Sequence, residues 1–164
     1  ALFLAMLAIG LKKNDKIIMP AINFVASYNV AKHLGAKIFL ADVDKHTGQM
    51  RPEDILNCCK KFKLKKIKAI VTMYNGGYPE NVKNFKNLKK KLKCLIIEDA
   101  CHAFGAEYRL NNKDYKVGCC KHADISTFSL HPLKTITTGE GGVISTNLKN
   151  IDKKVFQIFN NTLH

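Results

Sequence analysis

The sequence predicts an α/β fold of three layers, with a mostly parallel sheet covered by helices on both faces. Three observations predict it. Short apolar runs of strand length recur, they alternate strictly with amphipathic stretches of helical spacing, and Gly, Pro and Asn punctuate the joints. Strands buried on both faces read as continuous apolar runs, and Ile67 to Met73 and Cys94 to Ile97 read this way. With 164 residues, 46% of them hydrophobic, the chain is long enough for one domain with a real core.

Each element follows from its own pattern. Leu2, Leu4, Met6, Leu7 and Ile9 lie at helical spacing, so a helix is expected to be already under way at Ala1. The polar turn from Lys12 to Asp15 leads into a buried strand, Lys16 to Pro20. Ala21 to Leu34 is expected as a helix stopped by Gly35, and Ala36 to Ala41 as a strand with Asp42 and Asp44 at its end. Arg51 to Phe62 has helical spacing through Ile55, Leu56 and Cys59. Asn75-Gly76-Gly77 turns the chain after the strand ending at Met73, and a lysine-rich helix is expected from Pro79 to about Leu92. Glu98 and Asp99 fall at the carboxyl end of the next strand. Ala106 to Leu110 and Tyr115 to Val117 read as a surface hairpin joined by Asn111 to Asp114. Ile151 to Phe159 reads as a final helix, and the chain stops at His164 without a terminating structure. These two ends suggest a fragment of a longer protein.

Composition narrows the function classes. The net charge is +14 and the pI about 9.6, which would suit nucleic acid or an acidic surface. The charge is nearly all lysine spread over helix faces, however, and only Arg51 and Arg109 carry the guanidinium groups that usually read base edges. A lysine-biased surface is the simpler account, with neither nucleic acid nor membrane as partner. The six cysteines include no C-x-x-C pair, so reduced thiols in a cytoplasmic protein are expected, with no metal site. The apolar run from Ala1 to Leu11 lacks the basic flank and cleavage site of a signal peptide and is too short to span a bilayer.

The stretch from Asp124 to Thr146 carries the chemistry. Ile125 to Ser129 alternates as a strand, and Pro132 then ends it, because proline cannot donate to a ladder and holds His131 out of the helical region. The loop that follows carries Lys134. Gly139, Gly141 and Gly142 allow positive φ or close backbone approach before Val143 to Thr146 returns as a strand. A lysine placed between two buried strands in this way faces a ligand. In open α/β sheets ligands collect beyond the carboxyl ends of the strands, where Asp99 also falls.

Together FSLHPLKTITTGEGG and the upstream EDACHAFGAEY resemble the active-site signature of the DegT/DnrJ/EryC1/StrS family, the pyridoxal-phosphate (PLP) sugar aminotransferases. The resemblance runs through essentially all 164 residues. It implies the PLP-dependent transferase type I fold of aspartate aminotransferase. Residues 1–164 would then be its PLP-binding large domain, truncated at both ends, with the smaller C-terminal domain absent. The wording EDACHA and HPLKTITTGEGG is similar to the branch that aminates a UDP-linked 4-keto-6-deoxy-N-acetylhexosamine on the way to pseudaminic acid. That branch implies a nucleotide-sugar substrate, glutamate as amino donor and a homodimer.

The resemblance also implies roles for particular residues. Lys134 would form the Schiff base with PLP; an ammonium cannot do so, and the site has to favour the free amine by desolvation or neighbouring cations. Asp99 would hold the protonated pyridine nitrogen, although aspartate after a strand also suits a helix cap. His102 would lie near the ring and its phenolic oxygen, against the alternative of a packed histidine with a satisfied nitrogen. Ser129 would hydrogen-bond the phosphate, and Phe24 would stack on the ring, unless it is simply a core aromatic on a helix. The family's main phosphate cradle would fall before Ala1, and a further phosphate contact would come from a neighbouring subunit. Some relatives are dehydratases or deoxygenases that work without the lysine; its presence here favours transamination. A basic α/β domain that merely binds a phosphorylated ligand is the alternative of another class.

Overall fold

The computed structural model describes residues 1–161. The expectation that the chain runs out at His164 without a terminating structure lies outside the described residues. A six-stranded sheet forms the centre, in the order β2-β1-β3-β4-β7-β8. Its strands are β1 (Lys16–Pro20), β2 (Lys37–Ala41), β3 (Ala69–Met73), β4 (Leu95–Asp99), β7 (Ile125–Ser129) and β8 (Gly142–Ser145). The first five pair in parallel, and β8 closes the edge antiparallel to β7. The three-layer, mostly parallel architecture expected from the sequence is therefore present.

Alternation along the strands sends side chains to two cores. On one face Ile17, Met19, Val71, Ile97 and Ile125 pack with α1 (Leu2–Ala8), α2 (Ala26–His33) and α5 (Lys149–Asn161). On the other face Ile18, Ile70 and Ile96 pack with Ile55 and Cys58 of α3 (Pro52–Lys61) and with Phe85 and Leu88 of α4 (Val82–Leu92). A third cluster, around Tyr74, Val117 and Phe128, lies under a separate hairpin of β5 (Glu107–Leu110) and β6 (Lys113–Lys116).

Three boundaries differ from the sequence expectation, each for a local reason. Helix α2 begins at Ala26 rather than Ala21, because the Ala21 N–H is taken by the Ala41 carbonyl at 2.8 Å and residues 21–25 stay outside the helix. Helix α4 begins at Val82 rather than Pro79, after Asn81 in the left-handed region at φ 57°. The hairpin turn is two residues long rather than four, with Asn111 and Asn112 at φ 49° and 59°, the positive pair that matches the twist of hairpin strands. Elsewhere the ends move by a few residues at most. Helix α3 starts where the Asp54 carboxylate accepts both the Arg51 backbone N–H at 2.9 Å and the Arg51 guanidinium at 3.1 Å across the first turn. All six cysteines are free thiols, and among the described residues no helix is long and apolar enough to cross a membrane.

Candidate active site

A cavity of about 460 Å³ opens at the carboxyl ends of β3, β4 and β7. Met73, Asp99, Thr127 and Ser129 form its floor, the N-terminal ends of α1 and α2 form one wall, and the loop between β7 and β8 forms the other. Topology alone produces this convergence. Because β4 and β7 are parallel neighbours with Asp99 opposite Thr127, the two strands deliver their last side chains to the same end and the same face of the sheet.

Each sequence-selected residue lines this cavity. Asp99 is 2% exposed; its Oδ1 accepts the Cys101 N–H at 3.3 Å and its Oδ2 accepts the Ser27 hydroxyl at 3.4 Å. A carboxylate accepts about four hydrogen bonds, so lone pairs remain for a donor in the cavity. Ser129, half-buried, accepts the His131 N–H at 3.3 Å, which leaves its own proton free to donate. His102 and Phe24 sit at the mouth, Phe24 with 70% of its surface exposed; it stands ahead of α2 rather than on it. Lys134 is half-buried on the β7–β8 loop.

That loop is shaped by short-range bonds. The Leu130 carbonyl accepts both the Thr138 N–H and the Thr137 hydroxyl at 3.0 Å, the Leu130 N–H reaches the Gly141 carbonyl at 2.9 Å, and the Lys134 N–H closes a tight turn onto the His131 carbonyl at 2.9 Å. Glycine is required at its return. A Cβ on Gly141 would stand 2.6 Å from the Thr138 hydroxyl, and one on Gly142 would stand 2.9 Å from the Phe128 carbonyl.

Electrostatics inside the cavity couple three of its residues. Burial pushes the Cys101 thiol up to about 12, helped by the Asp99 charge, while the Lys134 ammonium pulls the other way. Cys101 is therefore a neutral thiol at physiological pH. Thr127 and Cys101 line the cavity without a role in the sequence reading, and Ser27, which bonds Asp99 without lining the cavity, had none either. Thr127 lies two residues before Ser129 on the same strand, so the period-of-two rule points to it. Ser27 carries no such signal, because its approach to Asp99 depends on how α2 docks.

The family profile of the DegT/DnrJ/EryC1/StrS aminotransferases matches residues 1–164. The chain belongs to this family. It is 39% identical over 92% of its length to a GDP-perosamine synthase of Escherichia coli O157:H7, and 36% identical over 94% of its length to the UDP-4-amino-4,6-dideoxy-N-acetyl-beta-L-altrosamine transaminase of Campylobacter jejuni. Each match takes in 39% of the relative, so the chain spans about two-fifths of the curated relatives it matches. Among solved structures, that of NtdA from Bacillus subtilis with bound cofactor PMP superposes with a TM-score of 0.82 at 28% identity, covering 96% of this chain and 33% of that one. Aminotransferases of this family depend on pyridoxal phosphate.

Proposed function

We propose that this chain is the cofactor-binding large domain of a PLP-dependent aminotransferase that carries the amino group of glutamate to C4 of a nucleotide-linked 4-keto-6-deoxy sugar. The observation that carries the reading is the shared cavity: an amine from the β7–β8 loop and a buried carboxylate from the end of β4 line one space, with a free serine hydroxyl between the strands and an aromatic at the rim. This donor set fits PLP. Asp99 would hold the ring nitrogen, Ser129 would donate to the phosphate, His102 would stand near the phenolic oxygen, and Phe24 would cover a ring face. When bound, the cofactor supplies an aldehyde that takes up amines and a cationic ring that accepts the electron pair left by deprotonation.

Lys134 has two tasks in this reading. It would hold the cofactor through its amine until the donor arrives. Its freed amine then takes the proton from the α-carbon of glutamate and, in the second half of the cycle, returns one to C4 of the sugar, serving as base and then as acid. Asp99 would act in the same step, by holding the ring nitrogen in its protonated form so that the ring can take up the electron pair left by deprotonation. The Thr127 and Met73 floor and the apolar rim limit water at the reacting carbon.

Residues 1–164 would work with a smaller carboxyl-terminal domain and within a cytoplasmic homodimer, whose partner completes the phosphate site; the piece alone is then inactive. Two sugar classes merit testing. The resemblance of EDACHA and HPLKTITTGEGG favours the UDP-linked altrosamine type that leads to pseudaminic acid and surface glycans, while the 39% identity to a protein named GDP-perosamine synthase favours a GDP-linked sugar. The test is an absorbance spectrum of the full-length enzyme with PLP, repeated after glutamate and then after UDP- and GDP-linked 4-keto sugars. A visible cofactor band that is lost with Lys134→Ala, is bleached by glutamate and is restored by one of the sugars is expected. A wild-type protein whose PLP spectrum is that of the free compound, or a band that persists in Lys134→Ala, refutes the reading.

A further inference from the structure

Beneath Asp99 lies a hydrogen-bond relay that the proposed chemistry leaves unused. Ser27, in the first turn of α2, is fully buried, and its hydroxyl points at Asp99 Oδ2. The Asn23 side-chain amide donates to Ser27 Oγ at 3.0 Å. That bond occupies a lone pair of the hydroxyl and directs its single proton onward, so the polarity runs one way, from Asn23 N–H to Ser27 and from Ser27 O–H to Asp99.

We propose that Ser27, held by Asn23, is a positioning residue that orients the Asp99 carboxylate and ties it to the segment carrying Phe24. The inference rests on the reading of the cavity as a PLP site. Its basis is the irregular segment 21–25. Because this segment is not helical, its backbone is fixed at Ala21 by the Ala41 carbonyl, and Asn23 adds a side-chain tether to Ser27, four residues on and the first buried residue of α2. Asn23 and Phe24 are adjacent in sequence. One relay therefore links the residue that would hold the ring nitrogen to the residue that would cover the ring face. At 3.4 Å the Ser27–Asp99 contact is longer than an ordinary O–H···O bond of about 2.7–2.8 Å. The carboxylate keeps room to move toward an incoming N–H without losing its second donor, the Cys101 amide on Oδ1.

Ser27 does not touch the cavity, so its effect has to appear through Asp99. A carboxylate freed from Ser27 would grip the ring nitrogen less firmly. The ring would then withdraw less charge from the nitrogen joined to Lys134, and the pH midpoint of the visible cofactor band would rise.

The experiment uses the full-length enzyme, stripped of cofactor and titrated with PLP, in wild-type, Ser27→Ala and Asn23→Ala forms. For Ser27→Ala we expect a rise of about three- to tenfold in the PLP dissociation constant and an upward shift of the band midpoint. Asn23→Ala, at a partly exposed position, should shift both in the same direction by less, and it decides the matter if Ser27→Ala does not fold. Wild-type dissociation constants and midpoints in the folded variants overturn this inference alone, with the cofactor still bound. Failure of wild-type protein to bind PLP overturns the site reading and this inference together.

Discussion

Replacing Tyr74 with Phe removes one oxygen from the interior and should cost more stability the higher the pH. Tyr74 is 2% exposed and its hydroxyl donates to Glu98 Oε1 at 2.5 Å, while the Ser126 hydroxyl donates to Glu98 Oε2. Glu98 is itself 5% exposed, and burial raises its pKa above the usual carboxylate range, with the two hydroxyls opposing that rise. A carboxyl whose folded pKa lies above its unfolded value of about 4.3 holds its proton more tightly when folded. Its contribution to stability is complete below the unfolded value and declines as pH climbs through the folded one. Deleting a donor that favours the charged form moves the folded pKa further up and steepens this decline. Where Glu98 is protonated, the lost bond is neutral and costs about 0.5–1.5 kcal/mol; where it is ionised, the loss is about 1.5–3 kcal/mol. Urea unfolding of the full-length apoprotein at several pH values from about 5 to 8 measures the difference, and Glu98→Gln should flatten the wild-type slope over the same range. A Tyr74→Phe penalty that is constant with pH, or falls as pH rises, would refute the assignment of Glu98 as the titrating partner.

Two further substitutions test the scaffold around the site. Asp124, 3% exposed, accepts the Ile96 N–H at 2.8 Å and the Lys89 ammonium at 2.5 Å, so Asp124→Ala strands a β4 backbone donor while part-exposed Lys89 can turn to solvent. It should cost about 1–3 kcal/mol, against about 3–5 kcal/mol for Lys89→Ala, which leaves the buried carboxylate without its cation, read from the same unfolding curves; a negligible penalty for Asp124→Ala would mean the backbone bond contributes nothing. Gly77 stands at φ 85°, and a Cβ there would lie 2.4 Å from the His102 carbonyl. Gly77→Ala should therefore displace the His102 turn, lowering stability by about 1–3 kcal/mol and weakening PLP binding in the titration described above, whereas unchanged binding would separate His102 from the cofactor site.

How much of this was legible in the sequence depends on the range of the interaction that decides each feature. The strands at Ile67 and Cys94 were legible because burial on both faces leaves continuous apolar runs, and the strand at Ile125 because its residues alternate with a period of two, both properties of adjacent residues. The start of α2 was not. Ile22, Phe24 and Val25 read as a helix continuing backward, yet they stand exposed at 52%, 70% and 54%, because the Ala41 carbonyl claims the Ala21 N–H across the sheet. That competition involves a strand some twenty residues away and has no local signature. The same holds for the site. Lys134 and Asp99 were legible as a pair through motif wording and the rule that ligands gather at carboxyl strand ends, whereas Ser27 meets Asp99 only once α2 has docked.

Strand β4 ends in two adjacent carboxyls, and their division of labour follows from the pleat. Consecutive side chains point to opposite faces, so Asp99 faces the cavity while Glu98 faces the cluster with Tyr74 and Ser126. The parallel register of β4 with β7, Glu98 opposite Ser126 and Asp99 opposite Thr127, maintains both at once. A slip of one residue would turn Glu98 into the cavity and drive Asp99, a methylene shorter, into the hydroxyl pair. The buried Glu98 network therefore penalises the misregistered sheet in addition to any stability it adds. That penalty holds Asp99 on the same face as Lys134, and it explains why a carboxyl with no direct contact to the cavity still bears on what the cavity can do.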